Sequence, residues 1–250
     1  MGMSRKAFQA LSMLFDQKAS VFGVKVFATS QVSPANFDHA VNVLDQYLDS
    51  DQDGKPNNSK VVKSLRRNRS AMFLSGNEND AERFFDKNER TIRQSKAHFV
   101  ELFDDEIHPK SEKADEFDAT LEEVFHLISD LGYSLVYEDV FGLSKDSLIG
   151  QAMNHARGGY FKRVPSDYPP QAYYTYEDKS CDYHCQITEY FYWGMTSMLG
   201  AQRSQKRFQE IRHEWRLNTP EKIENQAPML FALLSDDRYG LPTVLPSGDL

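Results

Sequence analysis

The sequence predicts an α+β protein, with helices and a small mixed sheet in an N-terminal half that packs on a mainly helical C-terminal half. Three observations support this prediction. The segments rich in β-branched and aromatic residues, which are typical of strands, all lie before residue 104. Helical patterns separate these segments, and from residue 118 onward nearly every periodic segment has helical spacing. We therefore expect an α+β half at 1–112 and a helical half at 113–250, or one continuous domain.

The N-terminal half alternates between helical and strand patterns. Residues 4–16 have helical periodicity, and residues 20–29 predict one strand. Ser33 as N-cap and Pro34 in the first turn mark the start of the next helix. The remaining predicted elements of this half are a basic helix at 59–67, a strand at 71–76, a charged helix at 79–95 and a strand at 97–103.

The C-terminal half is predicted to consist of helices and one long aromatic loop. The predicted helices cover residues 120–131, 146–157, about 184–216 and 221–234. The loop at 158–183 is rich in tyrosine. Loops of this length without secondary structure of their own are often functional.

Composition limits the classes of partner. The chain carries 29 Lys and Arg against 37 Asp and Glu, a net charge of -8, which argues against nucleic acid because phosphate binding needs a concentrated positive field. No apolar run approaches the roughly 20 residues that span a bilayer, so we expect no membrane insertion. Cys181 and Cys185 are expected to be buried or locally bridged. So few cysteines favour a reducing compartment, the cytoplasm if the chain is complete, although a secreted chain that had lost its signal would have the same sequence.

An acidic segment resembles a calcium-binding loop. Its aspartates alternate and Gly54 follows them, as in the first half of an EF-hand. Lys60 stands where an EF-hand has a bidentate glutamate, so the segment is more similar to the shorter DxDxDG loops of thrombospondin and dockerin modules. The predicted ligands are Asp49, Asp51, Asp53, the carbonyl of Lys55 and the side chain of Asn57. The alternative is a solvated acidic turn.

A short amphipathic helix carries candidate metal ligands. In "DATLEEVFHLISDLGY", residues 118–133, Glu122 and His126 are four residues apart and therefore lie on one face. Two ligands have this spacing in HExxH metallopeptidases, where the glutamate after the first ligand is the general base. Glu122 takes the place of the first histidine here, and Glu123 takes the place of the base. The structural alternative is a capping box formed by Thr120 and Glu123.

Glu189 is the predicted third ligand. It is the only charged residue between Cys185 and Gln202, in a segment of mostly apolar and aromatic residues, so we expect it to be buried. A buried carboxylate costs several kcal/mol unless a metal, a cation or hydrogen bonds compensate it. A metal shared with Glu122 and His126 would do so, and the alternatives are a protonated acid or a salt bridge. The arginines considered for that bridge are Arg157, Arg203 and Arg207.

The aromatic loop and the residue before it supply candidate substrate contacts. Arg157, Tyr173 and Tyr176 are predicted to line a cleft. Tyr174 is predicted to be catalytic, because a tyrosine hydroxyl can stabilise an oxyanion in acyl transfer. The alternative is that these tyrosines only pack over helices.

Taken together, these segments resemble a family of largely uncharacterised metallopeptidase-like proteins of the zincin and gluzincin type. The segments that carry the resemblance are the DxDxDG loop, "EEVFHLISDLGY", "ARGGYF", "DKSCDYHCQITEYFYW" and "YGLPTVLPSGDL". The resemblance covers most of the chain and implies a zincin-like fold with a metal site on helices.

The leading interpretation is a metal-dependent hydrolase, for example a peptidase, that acts on a peptide or small molecule. Glu122, His126 and Glu189 would hold zinc or another divalent transition metal, and Glu123 would deprotonate a metal-bound water. Two alternatives stay open. One is a non-catalytic, calcium-stabilised binding protein on a degenerate metallopeptidase scaffold. The other is a carboxylate-rich iron or manganese site, for which Glu123 and His126 supply only one of two E-x-x-H pairs.

Overall fold

A computed structural model of the chain describes residues 2–109 and 117–249, with side chains from residue 7 onward. The chain forms two compact units, the first made of Met1–Leu131 with Pro246–Leu250 and the second of Gly132–Leu245. The mixed α+β class predicted from the sequence is confirmed. The predicted boundary at 112–113 differs from this division, which falls after Leu131.

The first unit is built on a four-stranded mixed sheet in the order β1-β2-β3-β4. β1 pairs with β2 in antiparallel orientation, and β2, β3 and β4 are parallel. The strands are β1 (Gln17–Val21), β2 (Val24–Ala28), β3 (Ser70–Ser75) and β4 (His98–Phe103). The helices are α1 (Gly2–Ser12), α2 (Pro34–Leu48), α3 (Ser59–Asn68), α4 (Glu78–Ser95) and α5 (Thr120–Ile128).

The prediction of one strand at 20–29 was wrong, because the chain reverses inside that segment. Phe22 and Gly23 form a two-residue turn between β1 and β2. Both residues have positive φ, 47° and 90°, as a type I′ hairpin turn requires. Asn-Gly is a preferred sequence for such turns. With phenylalanine in the first position, the sequence does not indicate a hairpin.

The other helix and strand predictions for this unit agree closely with the structure. Ser33 caps α2 as expected, since its hydroxyl oxygen accepts a hydrogen bond from the Asn36 N–H at 3.2 Å, and Pro34 begins the helix. Asn58 and Asn77 cap α3 and α4 through their side chains.

Aromatic side chains fill the core on one face of the sheet. Phe73 of β3 is fully buried, and its ring contacts those of Phe15, Phe84, Phe85 and Phe99. Because successive side chains of a strand point to opposite faces, Met72 and Leu74 face the other side. Helix α5 packs on β3, β4 and α2.

The C-terminal residues 246–249 return to α2 in the first unit. The side-chain oxygen of Gln46 accepts hydrogen bonds from the N–H groups of Ser247 and Gly248, at 2.7 and 3.0 Å. Asn42 donates to the Gly248 carbonyl at 2.9 Å. Gly248 has φ +76°, and an added Cβ would lie 2.0 Å from Nδ1 of His39, so only glycine fits at this position.

The second unit consists of helices and loops with two isolated β-bridges. Its helices are α6 (Ser134–Val136), α7 (Glu138–Phe141), α8 (Leu148–Ala156), α9 (Tyr183–Met198), α10 (Gln205–Ile211), α11 (Pro220–Gln226) and α12 (Pro228–Leu234). The long helices predicted at 184–216 and 221–234 are each divided in two. Gly200, with φ +88°, follows the end of α9, and Pro228 begins α12.

Tyrosine and tryptophan rings form the centre of this unit. Trp215 is fully buried and donates to the Ser197 hydroxyl oxygen at 2.9 Å. Tyr174 and Tyr190 pack on it at ring distances of 6.3 and 5.9 Å.

Cys181 and Cys185 form the expected local disulfide at the start of α9. No helix in the described part of the chain is long and apolar enough to cross a bilayer.

Candidate functional site

Glu122, Glu123 and His126 lie together on α5, as predicted. Each offers one ligand atom, and the three atoms lie within 4.8 Å of one another. The opposite face of α5, which includes Val124 and Phe125, is fully buried. His126 and Glu123 are therefore held at the rim of a fixed helix, with side-chain exposures of 12% and 29%.

Thr120 and Glu123 do not form the capping box that was the structural alternative. The N-cap of α5 is Ala119, which makes no side-chain capping hydrogen bond, and Thr120 is the first helical residue. The Glu123 Oε2 atom instead lies 3.6 Å from Nδ1 of His126, within ion-pair range. The carboxylate of Glu123 is therefore directed to the imidazole rather than to the start of the helix.

The start of α5 is fixed by the carboxylate of Asp118. One oxygen accepts from the Thr120 N–H at 3.1 Å and the His108 N–H at 3.3 Å. The other lies 2.7 Å from Nε2 of His39 on α2. Burial opposes ionisation of Asp118, but the hydrogen bond and charge of His39 and the hydrogen bonds of Thr120 hold the pKa of the carboxyl below its ordinary value.

Further carboxylates surround Glu123, and sequence analysis missed them. Partial desolvation together with the charges of Glu123 and Glu78 raises the pKa of Glu101, on β4. Desolvation, Asp105, Glu123 and Glu78 raise the pKa of Glu106 in the same way. We call Glu78, Glu101, Glu106 and Glu123 the acidic cluster. An acidic residue inside the strand "HFVELF" was the signal that could have identified Glu101.

The acidic loop holds Asp49, Asp51 and Asp53 together, again with one ligand atom of each within 4.8 Å. Asp49 is 2% exposed and accepts from the N–H groups of Asp53 and Gly54, at 3.2 and 2.8 Å. Its carboxylate therefore already closes the loop without an ion.

The side chains of Lys55 and Asn57 are also engaged within the loop, although the predicted ligand of Lys55 is its carbonyl. The Lys55 ammonium lies 2.9 Å from a carboxylate oxygen of Asp53, which offsets part of the repulsion among the aspartates. The Asn57 side-chain oxygen accepts from the Ser50 N–H at 2.9 Å. A calcium ion would thus compete with existing hydrogen bonds.

Glu189, the predicted third ligand, lies on α9 in the second unit. The expectation of full burial was wrong, since Glu189 is half-buried. On the same helix His184 is exposed and Cys185 is half-buried. The negative charge of Glu189 contributes to raising the pKa of both Tyr174 and Glu214. Its role as a ligand stays a prediction.

The arginines considered as partners of Glu189 make other contacts. Arg157 is fully buried and donates to the side-chain oxygens of Gln186 and Asn154 and to the Phe161 carbonyl. Arg203 and Arg207 lie 3.5 Å from glutamates of α11 and α10 respectively. The burial of Arg157 indicates that it fixes the loop after α8.

The predicted substrate-contacting tyrosines have different surroundings. Tyr174 is fully buried, and its hydroxyl donates to the Gln186 carbonyl at 2.9 Å. Tyr173 is half-buried, with its hydroxyl oxygen 3.5 Å from Nδ1 of His155. Tyr176 lines a cleft of about 470 Å³ in the second unit, together with Tyr168 and Glu214. The catalytic role of Tyr174 and the substrate contacts of Arg157, Tyr173 and Tyr176 stay predictions.

Glu214 is an unusual carboxyl in that cleft. Its Oε1 atom accepts from the Trp193 indole N–H at 2.9 Å. Burial, with the charges of Glu189 and Glu177, raises the pKa of Glu214 to about 7, although the hydrogen bond from Trp193 opposes the shift. Glu214 therefore changes its protonation near neutral pH.

Comparisons with known proteins found no match for this chain among models of protein families, curated proteins or solved structures.

We predict that Asp118→Asn destabilises the protein by about 1–3 kcal/mol at neutral pH, because a charged acceptor of three hydrogen bonds is replaced. The folded pKa of Asp118 is depressed, so its stabilisation is present above the unfolded value of about 3.9 and is lost as pH falls through the folded value. Chemical denaturation at pH 7 and pH 3 measures the effect. Asp38→Asn, at an exposed position, is the control. An equal loss of stability in Asp118→Asn at pH 7 and pH 3 would contradict the depressed pKa of Asp118.

We predict that Glu214→Gln stabilises the protein at pH 8 by about 1–3 kcal/mol and has little effect at pH 5. The folded pKa lies above the unfolded one, so wild-type stability decreases as pH rises between the two values, and glutamine removes that decrease while keeping an acceptor for Trp193. Thermal unfolding at both pH values tests this, with exposed Glu224→Gln as control. If Glu214→Gln is less stable than wild type at pH 8, other groups of the folded protein stabilise the ionised carboxylate of Glu214.

Proposed function

We propose that the protein is a metal-dependent hydrolase whose metal is held on α5 by Glu122 and His126. The observation that carries the proposal is the approach of the Glu122, Glu123 and His126 ligand atoms to within 4.8 Å of one another. Ligand atoms around one zinc ion lie within about 4.4 Å of each other, twice the metal–ligand distance, so side-chain rotations alone would suffice.

The donor set fits a divalent transition metal. An imidazole together with a carboxylate suits zinc, manganese or iron, whereas calcium prefers oxygen ligands alone. The acidic cluster adds a negative potential near Glu123, since the charges of Glu123 and Glu78 contribute to raising the pKa of Glu101 and Glu106. A cation would relieve that repulsion. The resemblance of "EEVFHLISDLGY" to an HExxH helix supports the same placement.

The metal would polarise a substrate carbonyl and lower the pKa of a coordinated water, which is the chemistry that a hydrolase needs. The residues of the chain would do the rest. Glu122 and His126 would hold the metal, and the Glu123 Oε2 atom would accept a proton from the attacking water. Because Oε2 also lies 3.6 Å from Nδ1 of His126, Glu123 is placed to orient the imidazole as well. A peptide or small ester is the proposed substrate class.

We predict that protein purified without added metal contains about one zinc, manganese or iron per chain, and that Glu122→Gln combined with His126→Asn removes it. Elemental analysis measures both, with exposed Glu82→Gln as matched control. Glu123→Gln should keep the metal and lower hydrolysis of a peptide and ester panel by about 100-fold or more, since general-base catalysis contributes about that much. Metal retained by the double variant would contradict the site.

The same measurement tests Glu189. Loss of metal in Glu189→Gln would support its predicted role as third ligand. Metal retained in Glu189→Gln but lost in the Glu122 and His126 double variant would assign binding to α5 alone.

A second candidate function is that of a calcium-stabilised, non-catalytic binding protein. The observation that favours it is the convergence of Asp49, Asp51 and Asp53 in the acidic loop. Under this alternative the α5 residues would have no activity, and calcium would only strengthen the fold.

We predict that calcium raises the melting temperature and that Asp51→Ala abolishes the increase. Binding to the folded state at about 100 times Kd contributes about 2.7 kcal/mol. Asp51 is exposed, and its one described hydrogen bond, from the Asp53 N–H, is long at 3.4 Å, so its loss should leave the calcium-free protein nearly unchanged. Magnesium at equal concentration is the control. No shift with millimolar calcium would rule the site out.

A further inference from the structure

A shallow groove of the first unit lies between the β1–β2 turn and α3. It encloses about 790 Å³. Phe22, Pro56 and Val62 form its apolar part, and Lys63, Arg66 and Arg67 form its basic part. We call it the basic groove. The residues that line the basic groove include none of α5 and none of the aspartates of the acidic loop.

The three cations of the basic groove are exposed and have no carboxylate partner within the described residues. This is unexpected in a chain with 37 acidic side chains and a net charge of -8. Arg66 and Arg67 lie in the last turn of α3, where a cation gains about 0.3–1 kcal/mol from the helix dipole. Lys63 lies outside that turn, so the dipole does not account for the group.

The β1–β2 turn shapes the wall of the groove. A Cβ added to Gly23 would lie 2.7 Å from Nε of Arg66, so the guanidinium rests against the turn. Phe22 has φ +47°, a conformation that costs a non-glycine residue about 1–2 kcal/mol. Asparagine would suit this turn better. The phenylalanine is therefore not explained by the turn, but its ring supplies apolar surface to the groove.

We propose that the basic groove binds a short acidic peptide segment with an aromatic side chain between its carboxylates. Guanidinium groups match carboxylates in a bidentate geometry, and Phe22, Pro56 and Val62 offer contact for a ring. The occupant has few charges, because three cations line the groove. The next arginine, Arg69, donates to the Ser95 carbonyl at 2.5 Å.

This charge count favours a peptide over a polyanion. Proteins that bind nucleic acid neutralise about 6–10 phosphates. Three cations on a chain of net charge -8 match two or three carboxylates, and the surrounding negative charge would repel a longer polyanion.

The test uses the full chain and the peptide acetyl-Asp-Glu-Phe-Glu-amide, which carries three carboxylates and is labelled for fluorescence anisotropy. We expect Lys63→Glu with Arg67→Glu to weaken binding about tenfold or more, since each exposed pair is worth a few-fold and reversal adds repulsion. Arg90→Glu, an exposed charge change on α4, should bind like wild type. Raising the salt concentration to about 1 M should also weaken binding, because the Debye length falls to about 3 Å.

Phe22→Asn separates binding from folding. We expect it to raise the melting temperature, because the strained turn is relieved, and to weaken binding of the phenylalanine peptide. A peptide with serine in place of phenylalanine should bind wild type and Phe22→Asn equally. A lower melting temperature together with unchanged affinity would show that Phe22 is structural only.

Three results would overturn the proposal. They are no binding of the peptide by wild type at millimolar concentration, unchanged binding by the charge-reversed variant, and tighter binding of duplex DNA or phosphatidylserine vesicles than of the peptide. If the double variant fails to unfold cooperatively, Lys63→Gln replaces it, with an expected loss of about twofold to fivefold. The outcome does not depend on metal content, so it is separable from the hydrolase proposal.

Discussion

The arrangement of the first unit depends on the buried carboxylate of Asp118. Its two oxygens join three segments that are distant in sequence: His39 on α2, the chain after β4 at His108, and the start of α5 at Thr120. A carboxylate that is 11% exposed is stable only when donors surround it, so the three segments must be in place together. The position of Glu122, Glu123 and His126 follows from this contact, since they lie on the two turns that Asp118 begins.

The charges of the first unit are divided between different elements. Desolvation and the charges of Glu123 and Glu78 raise the pKa of Glu101 and Glu106, whereas Lys63, Arg66 and Arg67 on α3 have no acidic partner among the residues that the structure describes. Pairing these groups would have been the simpler way to stabilise a fold, although surface pairs contribute little. Keeping them apart maintains local fields of both signs, which favour charged ligands.

Most of the fold could be predicted from the sequence, because local signals and tertiary packing agree. Ser33, Pro34 and the periodic apolar positions of α2 mark that helix unambiguously. The hairpin was missed because Phe22 occupies a turn position that asparagine normally takes. The division of the predicted helix at 184–216 was missed because Gly200 stops α9 through its backbone conformation, which composition alone does not show.

The site was only partly predictable. Helical spacing is enough to place Glu122, Glu123 and His126 on one side of α5. It does not show that Glu123 acts electrostatically on Glu101 and Glu106, which are distant in sequence. For Glu189 the pattern was misleading, since a segment of aromatic residues with one acid suggested full burial, whereas α9 leaves that side chain half-buried. Burial depends on which face of a helix is covered, and sequence periodicity was weak there.

The return of residues 246–249 to α2 makes the first unit discontinuous in sequence, with the whole of Gly132–Leu245 inserted between its two parts. These residues are synthesised only after the whole of Gly132–Leu245. Until then Gln46 and Asn42 lack the backbone groups that they bind, and His39 has no glycine against its ring. The first unit can thus be completed only after the second unit has been synthesised.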